Sequence, residues 1–357
     1  MKKIKMSSLA LCVVLVLSLA FTGCSNQTAS PSPKNTDSAQ KTPEPSKDTK
    51  DTEETYKLKC GVMVNKDQAQ TKGALYFADK VKEATNGKVI IDVFSDGVLG
   101  SETDVWEAIQ AGTVDMGIIS PAYVGNFVPE YQIYELPFLF ASREHRDKVV
   151  NGPVGEKIDK LLADKVGMIV LGQFGGIGRN LITRTKKIET LDDIKGVKMR
   201  VYSSPIVVDT WTALGTVPVT VAYAEAYTGL QTGVVDAAEN EMATLVSQKW
   251  YEPCKYVAIT EHNINTRPLI IGKSQLEKLP KEYQEIMIEV GKDAASYAVK
   301  TERDDDAKYI DDLKNLNIEV FELQDKDKWI EATKQLRSDF VKKYNMEAIL
   351  SEIEGLK

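Results

Sequence analysis

The sequence predicts a mixed α/β fold of about two domains with mostly parallel strands. Short apolar segments with the alternation of strands are followed repeatedly by segments with the spacing of amphipathic helices. The 357 residues are 43% hydrophobic and 27% charged, as expected of a protein with a buried core. This length exceeds that of one ordinary domain, which is roughly 150 residues.

The strand and helix segments follow one another from residue 56 onwards. Strands are predicted at 56–63, 89–94, 113–119, 167–171 and 197–201. Helices are predicted to begin near Gln70 and Ser101, and a long one is predicted over 280–314. At 1.5 Å per residue the last helix would be about 50 Å long, so we expect it to run across two lobes. We expect its acidic run, 304–306, to be solvent-exposed.

Charge and histidine content disfavour several classes of protein. The chain has 45 Lys and Arg against 52 Asp and Glu, a net charge of −7, whereas nucleic-acid binders normally carry a basic excess. His145 and His262 are its only histidines, and we expect His145, within the charged run 143–146, to be exposed. There is no G-x-S-x-G, H-E-x-x-H or P-loop motif. We therefore predict no enzymatic activity, no metal and no cofactor.

The first 24 residues have the pattern of an export signal. Three lysines precede the apolar stretch 9–21, which is too short for a transmembrane helix of roughly 20 residues but typical of a signal peptide. The stretch ends at 20–24 in Ala-Phe-Thr-Gly-Cys, which resembles a bacterial lipobox. We predict a signal peptide at 1–23 and a lipid on Cys24. The alternative is ordinary cleavage beside an incidental cysteine.

A polar tract follows the predicted lipid site. Residues 25–54 contain no aliphatic residue larger than Ala, no aromatic residue and no Cys, so they cannot bury enough apolar surface to fold. We predict a disordered tether over 24–55 that holds an exported domain at the outer face of a membrane. The alternative is a tail without an anchoring role. Among the remaining cysteines, Cys60 and Cys254 lie in apolar strand-like segments, and we favour free thiols over a disulfide.

Two arginines in the middle of the chain are candidates for anion binding. Arg200 is the sole charge in the apolar segment Met199-Arg200-Val201, and Arg179 follows the glycine-rich segment 175–178. A guanidinium stays protonated and matches a carboxylate with two parallel hydrogen bonds. Taken alone, Arg200 fits either a structural ion pair or a site for an anionic ligand.

A series of short motifs in one order resolves this choice. In the segment 213–262 they are Leu214-Gly215, Pro218, Glu225, Tyr227, Leu230-Gln231, Gly233, Val235-Asp236, Glu239-Asn240, Lys249, Tyr251-Glu252 and Lys255-Tyr256. Earlier in the chain they are Asn86-Gly87-Lys88, Leu99-Gly100, the run 112–116 and the run 136–140. In these motifs the chain resembles the solute-binding proteins of tripartite ATP-independent periplasmic (TRAP) transporters, which capture dicarboxylates, sialic acid and sugar acids. The resemblance covers roughly residues 57–330.

The resemblance implies a periplasmic-binding-protein-like fold. It has two α/β lobes, a ligand cleft between them and a long helix that spans both. Lobe I would contain residues 56–176 plus about 266–300, and lobe II residues 177–265 plus about 301–357. No cofactor is implied.

The resemblance also implies which residues of lobe II bind the solute. Arg200 would clamp the solute carboxylate, and Arg179 would assist it. Asn240 would donate a hydrogen bond to the same carboxylate, and Tyr223 would form a wall of the cleft. A fixed cation, an amide donor and aromatic walls suit a small organic anion excluded from water.

In lobe I the corresponding positions are Asn65, Ser120 and Tyr123. Ser120 stands where the family usually has an acid or an amide, so the resemblance does not identify the solute. We expect a small organic acid, either a dicarboxylate or a sugar acid such as a uronate, that is delivered to the permease subunits of a TRAP transporter. The alternatives are a lipid-anchored receptor that senses the ligand for a signalling partner, and a secreted hydrolase that uses carboxylates alone.

Overall fold

The computed structural model describes residues 54–357, so the predictions for the signal peptide, Cys24 and nearly all of the tether lie outside the described residues. The strands are β1 (Tyr56–Gly61), β2 (Val89–Phe94), β3 (Met116–Ile118), β4 (Met168–Phe174), β5 (Gly178–Thr183), β6 (Lys198–Val201), β7 (Val217–Thr220), β8 (Ala237–Asn240), β9 (Tyr256–Ile264), β10 (Arg267–Gly272) and β11 (Glu319–Glu322). The helices are α1 (Ala69–Ala84), α2 (Glu102–Ala111), α3 (Pro121–Val124), α4 (Arg143–Val150), α5 (Pro153–Val166), α6 (Pro205–Ala213), α7 (Ala226–Thr232), α8 (Met242–Ser247), α9 (Lys273–Leu276), α10 (Lys281–Asn315), α11 (Lys326–Tyr344) and α12 (Glu347–Glu354). Short 3₁₀ helices lie at Pro129–Glu135 and Tyr223–Glu225.

The strands form two sheets, one in each lobe, which confirms the predicted two-lobed α/β fold. The first sheet has the order β2-β1-β3-β10-β4, and the second has the order β11-β9-β5-β8-β6-β7. Five of the nine strand pairs are parallel. All four antiparallel pairs contain β5 or β10, the two strands by which the chain enters a lobe from the other one.

The chain crosses between the sheets through two short segments that lie side by side. Residues 175–177 connect β4 to β5, and residues 265–266 connect β9 to β10. Asn265 joins them: its side-chain oxygen accepts a hydrogen bond from the backbone N–H of Gly176 at 2.6 Å. Gly175 has a φ of 88° and would place a Cβ 2.5 Å from that same oxygen, so this turn requires glycine.

Helix α10 confirms the prediction of a long helix spanning both lobes. It has 35 residues, about 50 Å, and packs on α1 and β4 of lobe I and on α8 and β11 of lobe II. Its closest approach to the first sheet is at Gly291, where an added Cβ would lie 2.5 Å from the carbonyl oxygen of Leu171 in β4. The absence of a side chain at this position lets the helix lie directly on the strand.

Two predictions about exposure are wrong, for one physical reason. His145 is buried, because Ser142 caps the start of α4 and the imidazole turns inward, where Nε2 contacts the carbonyl oxygen of Ile353 at 2.7 Å. Asp306 is also buried, and its carboxylate pairs with Arg143 at 2.6 Å. In both cases the residue lies in a charged segment but is buried by contact with a residue distant in the chain, which the local sequence does not show.

Further observations concern the cysteines, the lobes and the membrane. Cys60 and Cys254 are free, and each is buried in a different apolar cluster. The expected lobe boundaries stay a prediction: β4 and β5 lie in different sheets, and α12 of the expected lobe II packs against α5, which flanks β4 of the first sheet. Within residues 54–357, no helix combines the length and the apolar composition needed to cross a bilayer.

The contact between α10 and β4 gives a first prediction. Gly291→Ala should destabilise the protein by about 1–3 kcal/mol, because the new methyl group would overlap Leu171. The matched control is Gly229→Ala in α7, where the nearest atom would be 3.5 Å away. That change should be neutral, or stabilising by up to about 1 kcal/mol, because Ala favours a helix over Gly. Urea unfolding of both variants provides the measurement, and equal effects of the two substitutions would contradict the close approach.

Candidate functional site

A cavity of about 410 Å³ lies between the two sheets and is lined from both lobes. The lining residues of lobe I are Met63, Val64, Gln70, Asp96, Gly97, Gly100, Ser101, Glu102, Ser120, Tyr123 and Arg267. Those of lobe II are Arg179, Arg200, Tyr202, Ala222, Tyr223, Ala224, Asn240, Glu241 and Thr244. Its volume lies within the range of pockets that hold small molecules.

Arg200 is a buried cation without a counter-ion. It projects from β6, its Nε donates to the carbonyl oxygen of Val221 at 2.9 Å, and its Nη2 has no hydrogen-bond partner. The guanidinium lies over the rings of Tyr202 and Trp250, with its central carbon 5.6 and 5.7 Å from their centroids. No carboxylate within residues 54–357 lies within 4 Å of it. Burial lowers the pKa of Arg200, but a guanidinium remains charged at neutral pH.

Arg179, by contrast, is already paired. Its Nε and Nη2 donate to the two carboxylate oxygens of Glu239 at 2.6 and 2.8 Å, and its Nη1 donates to Glu241 at 3.0 Å. Burial opposes ionisation of Glu239, but the guanidinium of Arg179 outweighs it and holds the pKa of that carboxyl far below its usual range. The guanidinium therefore lines the cavity with its charge balanced.

A third arginine, Arg267, belongs to the same buried network. Its Nη2 donates to Oε1 of Glu241 at 2.7 Å, and the side-chain nitrogen of Asn265 donates to that oxygen at 2.6 Å. Glu241 thus connects Arg179 of β5, Arg267 of β10 and the segment where the chain crosses between lobes. The network fixes the cavity wall to the crossing segments.

Asn240 and Tyr223 lie on the lobe II wall. Asn240 ends β8, opposite Asn180 of β5, and its Oδ1 accepts from the backbone N–H of Glu241 at 3.0 Å. Its Nδ2 donates to no group of the part of the chain that the structure describes, so this donor is available in the cavity. Tyr223 lies in a 3₁₀ helix, and burial raises its pKa to about 12.

The lobe I residues stand on the opposite wall, with one exception. Ser120 precedes α3 and Tyr123 lies within it, where its ring stacks on Tyr202 with centroids 5.8 Å apart. Asn65 does not line the cavity: its side chain accepts from the backbone N–H of Asp67, and Met63 and Val64 line the cavity instead. The structure therefore brings six of the seven expected residues together.

Sequence reasoning missed other polar residues of the site. Glu102 is the first residue of α2, which Ser101 caps, and its carboxylate accepts from the backbone N–H and the hydroxyl of Ser120 at 2.6 and 2.8 Å. In the sequence it looks like an ordinary acid in the first turn of a helix. Arg267 did carry a signal, because it is the sole charge in β10, just as Arg200 is the sole charge in the apolar segment 199–201.

The arrangement suits the recognition of an anion. One unpaired guanidinium, one free amide donor and aromatic rings from both lobes converge on a largely buried space. Neither His145 nor His262 lines it, and His262 is engaged with Thr260 and Glu239. Among residues 54–357, a buried network of balanced charge lies beside the guanidinium of Arg200, which has no carboxylate partner.

Comparisons with known proteins show which family this chain is similar to. Residues 60–343 match the family model described as bacterial extracellular solute-binding protein, family 7. A solute-binding protein of Sulfitobacter sp. strain NAS-14.1 is 30% identical over 300 residues, which cover 84% of this chain and 91% of the relative.

Two solved structures are also similar. A TRAP periplasmic solute-binding protein from the same Sulfitobacter strain, with bound α-D-taluronate, has a TM-score of 0.80 and 29% identity and covers 84% of this chain and 97% of its own. Another, from Chromohalobacter salexigens with bound D-glucuronate, has a TM-score of 0.81 and 27% identity, with coverage of 84% and 100%. The chain belongs to family 7 of the bacterial extracellular solute-binding proteins, the solute receptors of TRAP transporters.

Proposed function

We propose that this protein captures a small sugar acid outside the cytoplasm and delivers it to the permease subunits of a TRAP transporter. The unpaired Arg200 carries the proposal, because a buried cation without a counter-ion is unfavourable until an anion joins it. Two similar receptors hold uronates, and this supports a sugar acid as the solute.

In this proposal the residues of the site have different tasks. Arg200 forms two parallel hydrogen bonds with the solute carboxylate, and Asn240 donates a third through its free amide. Arg179 is a positioning residue, because its charge is used to neutralise Glu239 and Glu241. Tyr123, Tyr202 and Tyr223 provide apolar ring faces that exclude water from the bound solute.

We further propose that the receptor is tethered to the membrane. The lipobox-like run ending in Cys24 and the polar tract that follows it support a lipid anchor and a flexible spacer. The folded lobes would then hang at the outer face of the membrane, within reach of the permease.

The division of tasks between the arginines gives the second prediction. A thermal-shift screen of sugar acids should first identify a solute that, at 100 times its Kd, stabilises the protein by about 2.7 kcal/mol. Arg200→Ala should then weaken binding of that solute by about 30- to several-thousand-fold, and Arg200→Lys should not restore it, since an ammonium lacks the planar fork. Calorimetry measures both affinities.

Melting curves without solute provide the control. Arg200→Ala removes no ion pair, so its melting temperature should stay close to that of the wild type. Arg179→Ala leaves Glu239 with His262 alone and Glu241 with one cation fewer, and it should cost about 3–5 kcal/mol of stability. If folded Arg200→Ala binds the solute as tightly as the wild type, Arg200 does not bind the solute carboxylate as proposed.

The anchor gives the third prediction. In cells fed an alkyne-labelled fatty acid, the wild-type protein should take up the label, and Cys24→Ala should take up none, because it lacks the thiol that carries the lipid. Cys12→Ala, which changes the other cysteine of the leader, is the matched control and should be labelled normally. Fluorescence of the protein band after coupling to a dye is the measurement. Labelling of Cys24→Ala at the wild-type level would refute the anchor.

A further inference from the structure

The charges around the cavity bear on how many carboxylates the solute carries. The guanidinium groups at the cavity are those of Arg179, Arg200 and Arg267, and the carboxylates that line it or pair with its arginines are those of Asp96, Glu102, Glu239 and Glu241. The buried carboxylates Glu239 and Glu241 balance Arg179 and Arg267, and Glu102 and the exposed Asp96 add further acidic groups before any solute enters. Two of the three cations are used in ion pairs, which leaves the charge of one guanidinium for the solute.

A second carboxylate would therefore have to take a partner from an existing pair. Drawing Arg267 away would remove a strong donor from Glu241, and drawing Arg179 away would leave Glu239 without its bidentate partner. These carboxylates are buried, so each such loss leaves an insufficiently compensated charge in a low-dielectric environment. The buried ion pairs therefore disfavour the binding of a solute with two carboxylates.

Glu102 adds a repulsive element on the lobe I wall. Its two hydrogen bonds from Ser120 both go to Oε2, and Oε1 accepts none from the residues of the range 54–357. Burial raises the pKa of Glu102, whereas the charge of Arg267, the hydrogen bonds from Ser120 and the charge of Arg179 lower it and favour the carboxylate form. A free carboxylate oxygen accepts hydrogen bonds from hydroxyl groups, but it repels another carboxylate.

Neutral polar side chains from both lobes also line the cavity. Gln70 and Thr244 line the same cavity, and each can donate to or accept from a hydroxyl group of a solute. Besides Arg200, the cavity therefore contains acceptors and neutral donors, which suit a hydroxylated carbon chain.

We infer that the cavity selects solutes with a single carboxylate and a hydroxylated body, and that Glu102 is the specificity residue that rejects a second carboxylate. This inference rests on the proposed function, because it assumes that Arg200 holds the first carboxylate. It divides the family's organic acids into accepted monocarboxylates and rejected dicarboxylates.

The test compares three probes on the full folded protein by calorimetry: D-glucuronate, D-gluconate and D-glucarate. Gluconate and glucarate share an open six-carbon chain and differ at C6, which is a hydroxymethyl group in one and a carboxylate in the other. The wild type should bind the better of the two monocarboxylates at least about 100-fold more tightly than glucarate, because juxtaposed like charges oppose the second carboxylate. Glucarate binding as tight as that of the monocarboxylates would overturn the inference and leave the proposed function intact.

Two variants then assign the selectivity to Glu102. Glu102→Gln retains an oxygen for the Ser120 hydrogen bonds but loses the charge. Its affinities for the better monocarboxylate and for glucarate should differ by about 10-fold or less. Glu107→Gln makes the same charge change at an exposed position of α2 outside the cavity, and it should leave the difference unchanged. If folded Glu102→Gln shows the same affinity difference between monocarboxylate and glucarate as the wild type, the role of Glu102 is refuted. If the wild type binds none of the probes and no other organic acid, the proposed function itself fails, and this inference fails with it.

Discussion

The site depends on a buried ion-pair network that balances two arginines and leaves a third, Arg200, without a carboxylate partner among residues 54–357. Glu241 receives hydrogen bonds from Arg179, Arg267 and Asn265, and these residues come from strands of both sheets and from the crossing segment between them. Such a network is stable only when every charge in it has a partner, because each buried charge has lost its hydration. The paired residues therefore restrain one another, and Arg200 remains available for a ligand.

In this arrangement the charges of Arg179 and Arg267 stabilise the structure, whereas the charge of Arg200 is available for a ligand. Arg200 is held by the carbonyl oxygen of Val221 and by the ring faces of Tyr202 and Trp250, none of which neutralises a full positive charge. The orientation of the guanidinium is thus fixed before the solute arrives, which reduces the entropy lost on binding. The crossing segments beside this network and the long helix α10 connect both lobes.

Much of the fold could be predicted from the sequence, because its signals are local. The strand alternation and the helical spacing of 280–314 need no knowledge of distant residues, and α10 extends from Lys281 to Asn315. The position of Arg200 between the apolar residues Met199 and Val201 is likewise a local signal. The partners were not: Arg179 pairs with Glu239, sixty residues further on, and only the folded chain shows that its charge is already balanced. The prediction that His145 is exposed fails for the same reason, since the carbonyl oxygen of Ile353, which its Nε2 contacts, comes from the far end of the chain.

The most direct test of the account is a crystal structure of residues 54–357 with the sugar acid that gives the largest thermal shift. The account predicts that the two oxygens of the solute carboxylate lie about 2.7–2.9 Å from nitrogens of Arg200, while the pairs of Arg179 with Glu239 and of Arg267 with Glu241 remain intact. A carboxylate bound instead to Arg179 or Arg267, with either pair broken and Arg200 unoccupied, would contradict it.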